Sequence, residues 1–216
     1  MIANSNRYYL GIISRRVRDV NKIIRIRGNK MIYFQTERLI LRDWKQADIE
    51  PFICMNQNEE VMRYFPKTLT KEQSLHFIEK IQAEFDERGH GLYAVEERES
   101  EEFIGYIGLH QATFDADFTP CTEIGWRLKR DAWGKGYATE AAKACLSYGF
   151  DVLDLKTIYS FTAKINQPSR NVMNKIGMSF IKEFNHPNLS SGHSLERHVL
   201  FSKSSTDEFI SNAQSS

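Results

Sequence analysis

The segment that most restricts the fold is Arg130-Asp-Ala-Trp-Gly-Lys-Gly-Tyr-Ala-Thr-Glu-Ala141. It joins a strand-like run, Pro120–Leu128, to a helical run, Gly136–Val152. Ala138, Ala141, Ala142, Cys145 and Gly149 share one face of that helix, and side chains this small let a helix lie close on a sheet. Gly134 and Gly136 remove the side chains that would keep a ligand off the backbone. The helix begins directly afterwards, so its free N–H groups and positive dipole end face the loop. Lys135 adds a cation without covering the amides. The expectation is an anion site of the phosphate-holding kind. It is not a G-x-x-x-x-G-K-[ST] phosphate loop. Nor is it a dinucleotide fingerprint, because Thr139 fills the third glycine position.

The remaining pattern predicts a mixed sheet with helices on its faces. Ile32–Arg42 reads as one strand, and Asp43–Asp48 as a turn into a helix ending near Asn56. A short helical turn covers Asn58–Arg63 and breaks at Pro66. Thr70-Lys-Glu-Gln73 has the form of a capping box. Leu75, Ile78, Ile81 and Phe85 make the helical stripe behind it, and Gly89–Gly91 stops it. Gly91–Glu97 and Phe103–His110 read as a hairpin. Thr157–Ala163 is a strand, Pro168–Lys175 a helix stopped by Gly177, and Ser179–Phe184 and Arg197–Lys203 the last two strands. The order is β-α-α-β-β-β-α-β-α-β-β.

Charge divides the chain. The net +1 is the sum of +7 on residues 1–30 and −6 on residues 31–216. In the basic arm, Ile13, Val17, Val20 and Ile24 fall on one helical face. Such a helix suits anionic lipid or nucleic acid, and an Arg-rich start also has the composition of a transit peptide. The plainer expectation is an extension ahead of a natural start at Met31. The divisions expected are therefore a basic extension over 1–30, a mildly acidic globular domain over 31–203 and a flexible tail over 204–216. No stretch has the ~18 apolar residues of a membrane span. Cys54, Cys121 and Cys145 are odd in number and widely spaced, which fits neither a disulfide framework nor a zinc site and points to a reducing, cytoplasmic compartment.

Trp133-Gly-Lys-Gly-Tyr-Ala138 resembles the acetyl-CoA motif of the GNAT superfamily of N-acetyltransferases. Trp133 stands where many members carry Gln or Arg, as is typical of the branch that includes ribosomal-protein N-terminal acetyltransferases. Thr36–Arg42 is similar to that branch's first strand and Glu123-Ile-Gly-Trp-Arg-Leu128 to its central strand. Asn166-Gln-Pro-Ser-Arg-Asn-Val-Met-Asn-Lys-Ile-Gly-Met178 is similar to its second CoA motif. The likeness spans about Tyr33–Lys203. It implies an α/β fold of mixed α+β type, whose central, mostly antiparallel sheet is splayed and flanked by helices. It also implies direct transfer of an acetyl group from acetyl-CoA to a primary amine. No metal, nucleic acid or transmembrane segment is implied, and the chain is a monomer or homodimer. A non-catalytic acyl-CoA-binding sensor or scaffold is the alternative.

The resemblance also distributes roles. Backbone at Trp133, Gly134, Lys135, Gly136, Tyr137, Ala138 and Thr139 would hold the CoA pyrophosphate. Ile124, Gly125, Trp126, Arg127 and Leu128 would line the pantetheine opposite Tyr159–Ala163, pairing like an added strand. An amide near Gly125–Trp126 would donate to the oxyanion. Asn166 would bond the pantetheine and Arg170 the phosphates. Glu123 is the candidate base, with His110, His186 and His198 as competitors whose intrinsic pKa of ~6.5 suits the task. Ser169 is the candidate partner of the departing thiolate, since the tyrosine used by many members is replaced by Met173. His186, His193 and His198 match no familiar metal-ligand spacing. The acceptor side is expected from Asp43–Leu69, Gln111–Thr119 and Asn185–Ser194. Asp115 and Asp117 would attract a cation, and Tyr64, Phe65, Phe114 and Phe118 would line an apolar pocket.

Overall fold

The computed structural model describes residues 31–206. The basic arm lies outside them, as does most of the expected tail. One eight-stranded sheet carries the chain in the order β1-β2-β3-β4-β5-β6-β8-β7. The strands are β1 (Ile32–Gln35), β2 (Leu39–Arg42), β3 (Leu92–Glu97), β4 (Phe103–Ala112), β5 (Cys121–Leu128), β6 (Thr157–Ala163), β7 (Ser179–Asn185) and β8 (Arg197–Ser204). The helices are α1 (Ile49–Gln57), α2 (Glu59–Met62), α3 (Lys71–Arg88), α4 (Tyr137–Asp151) and α5 (Gln167–Lys175).

The single first strand expected over Ile32–Arg42 is instead a hairpin, with β1 antiparallel to β2. Thr36 makes the turn: its Oγ1 accepts from the Leu39 amide at 3.0 Å, a local bond that competes with a continuous ladder. The other expected elements sit within a few residues of their places. Thr70 and Gln73 form the capping box, and Gly89 closes α3 with φ of 74°.

Alternation on the sheet separates two layers. Tyr106 meets Phe52 of α1 and Phe77 of α3, at ring separations of 6.1 and 5.9 Å. Leu109 and Ile124 face the other way, wholly buried, toward α4. Gly149 explains how closely α4 lies: a Cβ there would meet the Ile158 side chain at 2.8 Å and that of Leu109 at 3.0 Å. Away from the center, Arg42 binds Asp48 through two bonds of 2.7 and 2.9 Å and Glu96 at 2.6 Å, all three almost fully buried.

β5 and β6 are parallel and share one register pair, Glu123 with Tyr159. Beyond it the two strands diverge. The Ser160 hydroxyl, buried at the vertex, donates to the Ile124 carbonyl at 3.0 Å. The sheet is thus mixed, mostly antiparallel and splayed at its center.

Candidate active site

The splay opens into a cleft of about 1040 Å³. At its wide end lies the glycine loop. Gly134 and Gly136 have φ of 77° and 84°, the left-handed region open to glycine. The resulting turn leaves the amides of Gly134 through Thr139 without any acceptor among the described residues. Six free donors therefore gather at the start of α4. Glu140, an acid in this first turn, is neutralized by Arg38 at 2.5 Å and also accepts from Thr36. Trp133 donates its indole N–H to the Leu128 carbonyl, with the Arg63 and Arg130 guanidiniums over its ring at 5.4 and 4.9 Å. A loop of this kind fits a pyrophosphate: donors, dipole and flanking cations agree in sign.

At the narrow end, Glu123 pairs with His110. The two are cross-strand neighbors, with His110 Nε2 2.9 Å from Glu123 Oε2. Burial opposes the charged imidazole, but the Glu123 carboxylate and then Glu84 outweigh it and raise the His110 pKa. Glu84 itself accepts from the Gln111 amide at 2.7 Å. Glu123 and His110, rival bases from sequence alone, are joined by the register into one unit. The signal was present in two adjacent strands, but the length of the intervening loop hid the pairing.

Between Glu123 and Arg127, Gly125 forms an open floor. A Cβ at Gly125 would meet only the His110 ring, at 3.8 and 3.9 Å, so neither crowding nor a left-handed φ demands glycine here. Gly108, directly opposite, differs: a Cβ there would lie 2.1 Å from the Gly91 carbonyl oxygen.

α5 supplies one wall. Ser169 and Met173 line the cleft one turn apart, so the hydroxyl is presented beside a buried thioether. Asn166 lines it too, but its polar atoms are engaged. Oδ1 accepts from the Ser169 amide as the helix cap, and Nδ2 donates to Thr162. Arg170 is not brought to the cleft; it binds the Lys164 carbonyl and Gln167. The Lys135 side chain stands outside the lining, with its ammonium 5.8 Å from the Tyr137 ring.

On the acceptor side, Tyr64 and Phe65 line the cleft, and so do His186 and His198, whose rings lie 4.9 Å apart. Burial lowers both histidine pKa values, that of His198 to about 4, with His186 contributing. Phe114 and Phe118 instead pack with Phe161 and Phe184 behind that wall. Asp117 is paired with Lys182 at 2.5 Å rather than turned toward the cleft. Among the described residues no cluster of three or more His, Cys, Asp or Glu is placed to hold a metal, and no helix is long and apolar enough to cross a membrane.

A cleft of this shape suits a transferase whose donor is long and anionic at one end. Residues 38–179 match the family model of the acetyltransferase (GNAT) domain, and the chain belongs to that family. It is 31% identical over 145 residues to the uncharacterized N-acetyltransferase YoaA of Bacillus subtilis, covering 66% of this chain and 80% of that protein. A GNAT-family acetyltransferase structure from Bacillus anthracis superposes with a TM-score of 0.66 at 27% identity, covering 80% of this chain and 98% of that one. A spermidine N-acetyltransferase of Vibrio cholerae, solved with CoA and spermine, shares the fold with a TM-score of 0.65 at 18% identity, covering 81% and 99%.

Proposed function

We propose that the chain transfers the acetyl group of acetyl-CoA directly to a primary amine, a small molecule or a protein N-terminus. The observation that carries this reading is the row of six amides, Gly134–Thr139, that are unpaired among the described residues, at the open end of a sheet that splays toward them. Those amides would hold the pyrophosphate. The exposed edge of β5 would pair with the pantetheine amides, as an added strand does. Acetyl-CoA supplies an activated acyl group.

The chain's own groups meet the remaining needs. An alkylamine has a pKa of ~10 and must lose a proton before or during attack. Glu123, held by His110, accepts it from the face of β5 that Gly125 leaves open. A backbone amide near Gly125–Trp126 donates to the developing oxyanion. The Ser169 hydroxyl donates to the departing thiolate, the task Met173 is chemically unable to perform.

The activity belongs to residues 31–203, with 1–30 a basic extension and 204–216 a tail. It is exercised in the cytoplasm, by a monomer or homodimer, with no need of nucleic acid or metal. The buried Met173 favors a second reading, a non-catalytic acyl-CoA sensor or scaffold. Release of CoA thiol, followed over a panel of amines and N-terminal peptides, separates the two. Turnover on an acceptor supports transfer; saturable acetyl-CoA binding without turnover on any acceptor refutes it.

A further inference from the structure

Arg127 is the odd member among the buried charges. Its residue is 8% exposed, yet it faces no carboxylate among the described residues. The other buried ionic side chains are all paired: Arg42 with Asp48 and Glu96, and Glu123 with His110. A guanidinium carries five N–H donors. Among the described residues Arg127 uses Nη1, which donates to Asn56 Oδ1 at 2.6 Å, while its buried Nε has no partner. The rings of Phe65 and Tyr106 flank it, at 4.0 and 5.5 Å. Rings attract a cation weakly and cannot accept an N–H bond as a carboxylate does. A cation taken out of water in this way is left with unspent hydrogen-bonding capacity.

Its position gives that capacity a direction. Arg127 lines the cleft, and on β5 it lies on the same face as Glu123 and Gly125. Two-residue spacing puts each about 7 Å from Gly125, on opposite sides. The floor left bare by Gly125 thus has a proton acceptor at one end and, at the other, a cation that no carboxylate among the described residues faces.

We propose that the acceptor amine carries a carboxylate, which Arg127 binds while the amine faces Glu123 and His110. This deepens the acetyl-transfer reading and rests on it. The planar fork of the guanidinium suits a carboxylate in two parallel bonds. A polyamine offers no such group and would bring further cations against Arg127. The neutral, aromatic wall at His186 and His198 leaves room for a side chain without adding a competing charge.

The test uses the full chain and matched acceptors: an amino acid, its amide and its decarboxylated amine, with spermidine alongside. Wild-type kcat/KM, read by CoA release, is expected to favor the carboxylate over the amide by tenfold or more. Arg127→Met is expected to bring that ratio near one, and Arg127→Lys to retain part of it. Circular dichroism and thermal unfolding report whether each variant is folded. Calorimetry of the N-acetyl amino acid against the N-acetyl amide, with CoA present, reads the same preference without turnover. An unchanged ratio in a folded variant, or wild-type preference for the amide or spermidine, overturns the assignment. If no amine is turned over, acetyl transfer fails as a reading, and the calorimetric ratio in wild type and Arg127→Lys still decides the role of Arg127.

Discussion

Gly125→Ala separates the site from the fold. The added methyl would touch the His110 ring at 3.8 Å to Nε2 and 3.9 Å to Cδ2, ordinary contact distances. No left-handed φ opposes it. Replacing glycine where the backbone tolerates a side chain stabilizes by ~0.4–1 kcal/mol, through the unfolded chain. For a domain of this size that is a rise of about 1–4 °C in Tm. The same methyl stands on the cleft floor, beside the nitrogen that holds Glu123. A displacement of reacting groups by about 1 Å costs on the order of 100-fold in rate. Gly125→Ala is therefore expected to keep or raise Tm while kcat/KM falls about 100-fold. Gly108→Ala is the control. Its methyl would lie 2.1 Å from the Gly91 oxygen and 2.6 Å from Leu92 Cα, so β3 and β4 would have to part. Its Tm is expected to fall, by roughly 1–3 kcal/mol of stability or more. Thermal unfolding and CoA release, measured on both variants, decide the matter. Full activity in Gly125→Ala, or activity lost only in proportion to a lower Tm, would refute the placement of the acceptor over Gly125.

Glu123→Gln and Ser169→Ala are each expected to lower kcat by tenfold or more, the scale of proton-transfer groups, in steady-state CoA-release kinetics; if neither does, the assigned roles are wrong. Arg42→Met leaves the buried Asp48 without its cation, while Glu96 keeps Lys45 at 2.6 Å, and is expected to cost about 3–5 kcal/mol, read as a Tm drop of roughly 6–20 °C. The His198 pKa, about 4 in the folded chain, lies below its ordinary 6.5, so the unfolded chain binds that proton more readily. The stability concerned is present above pH 6.5 and drains away as pH falls toward 4. His198→Phe should show a shallower loss of Tm across that window, and an equal slope would contradict the burial argument.

The elements were legible where local rules decide them. Thr70 and Gln73 announce the start of α3, Gly89 its end, and the paired glycines before Tyr137 the start of α4. The break at Thr36 was not legible, because the apolar residues on both sides read as one run and a single hydroxyl-to-amide bond divides them. In the site, the glycine loop needed only spacing to be found. The union of His110 with Glu123 depends on register across β4 and β5, which alternation along each strand leaves open. Arg127 was visible as a strand residue, but its isolation was not. That isolation arises from Asn56 and Phe65, which other segments bring over it.

The splay has a consequence for how long the chain survives. With one register pair between β5 and β6, the sheet is two arms, five strands and three, clasped at a vertex by Ser160. A ligand lying in the gap would act as a keystone, adding rungs the polypeptide itself does not make. Occupancy stabilizes the native state by RT ln(1 + [L]/Kd), so scarcity of that ligand loosens the joint between the arms. Digestion by a protease that samples the opened chain would accordingly slow as a gap-binding ligand is added.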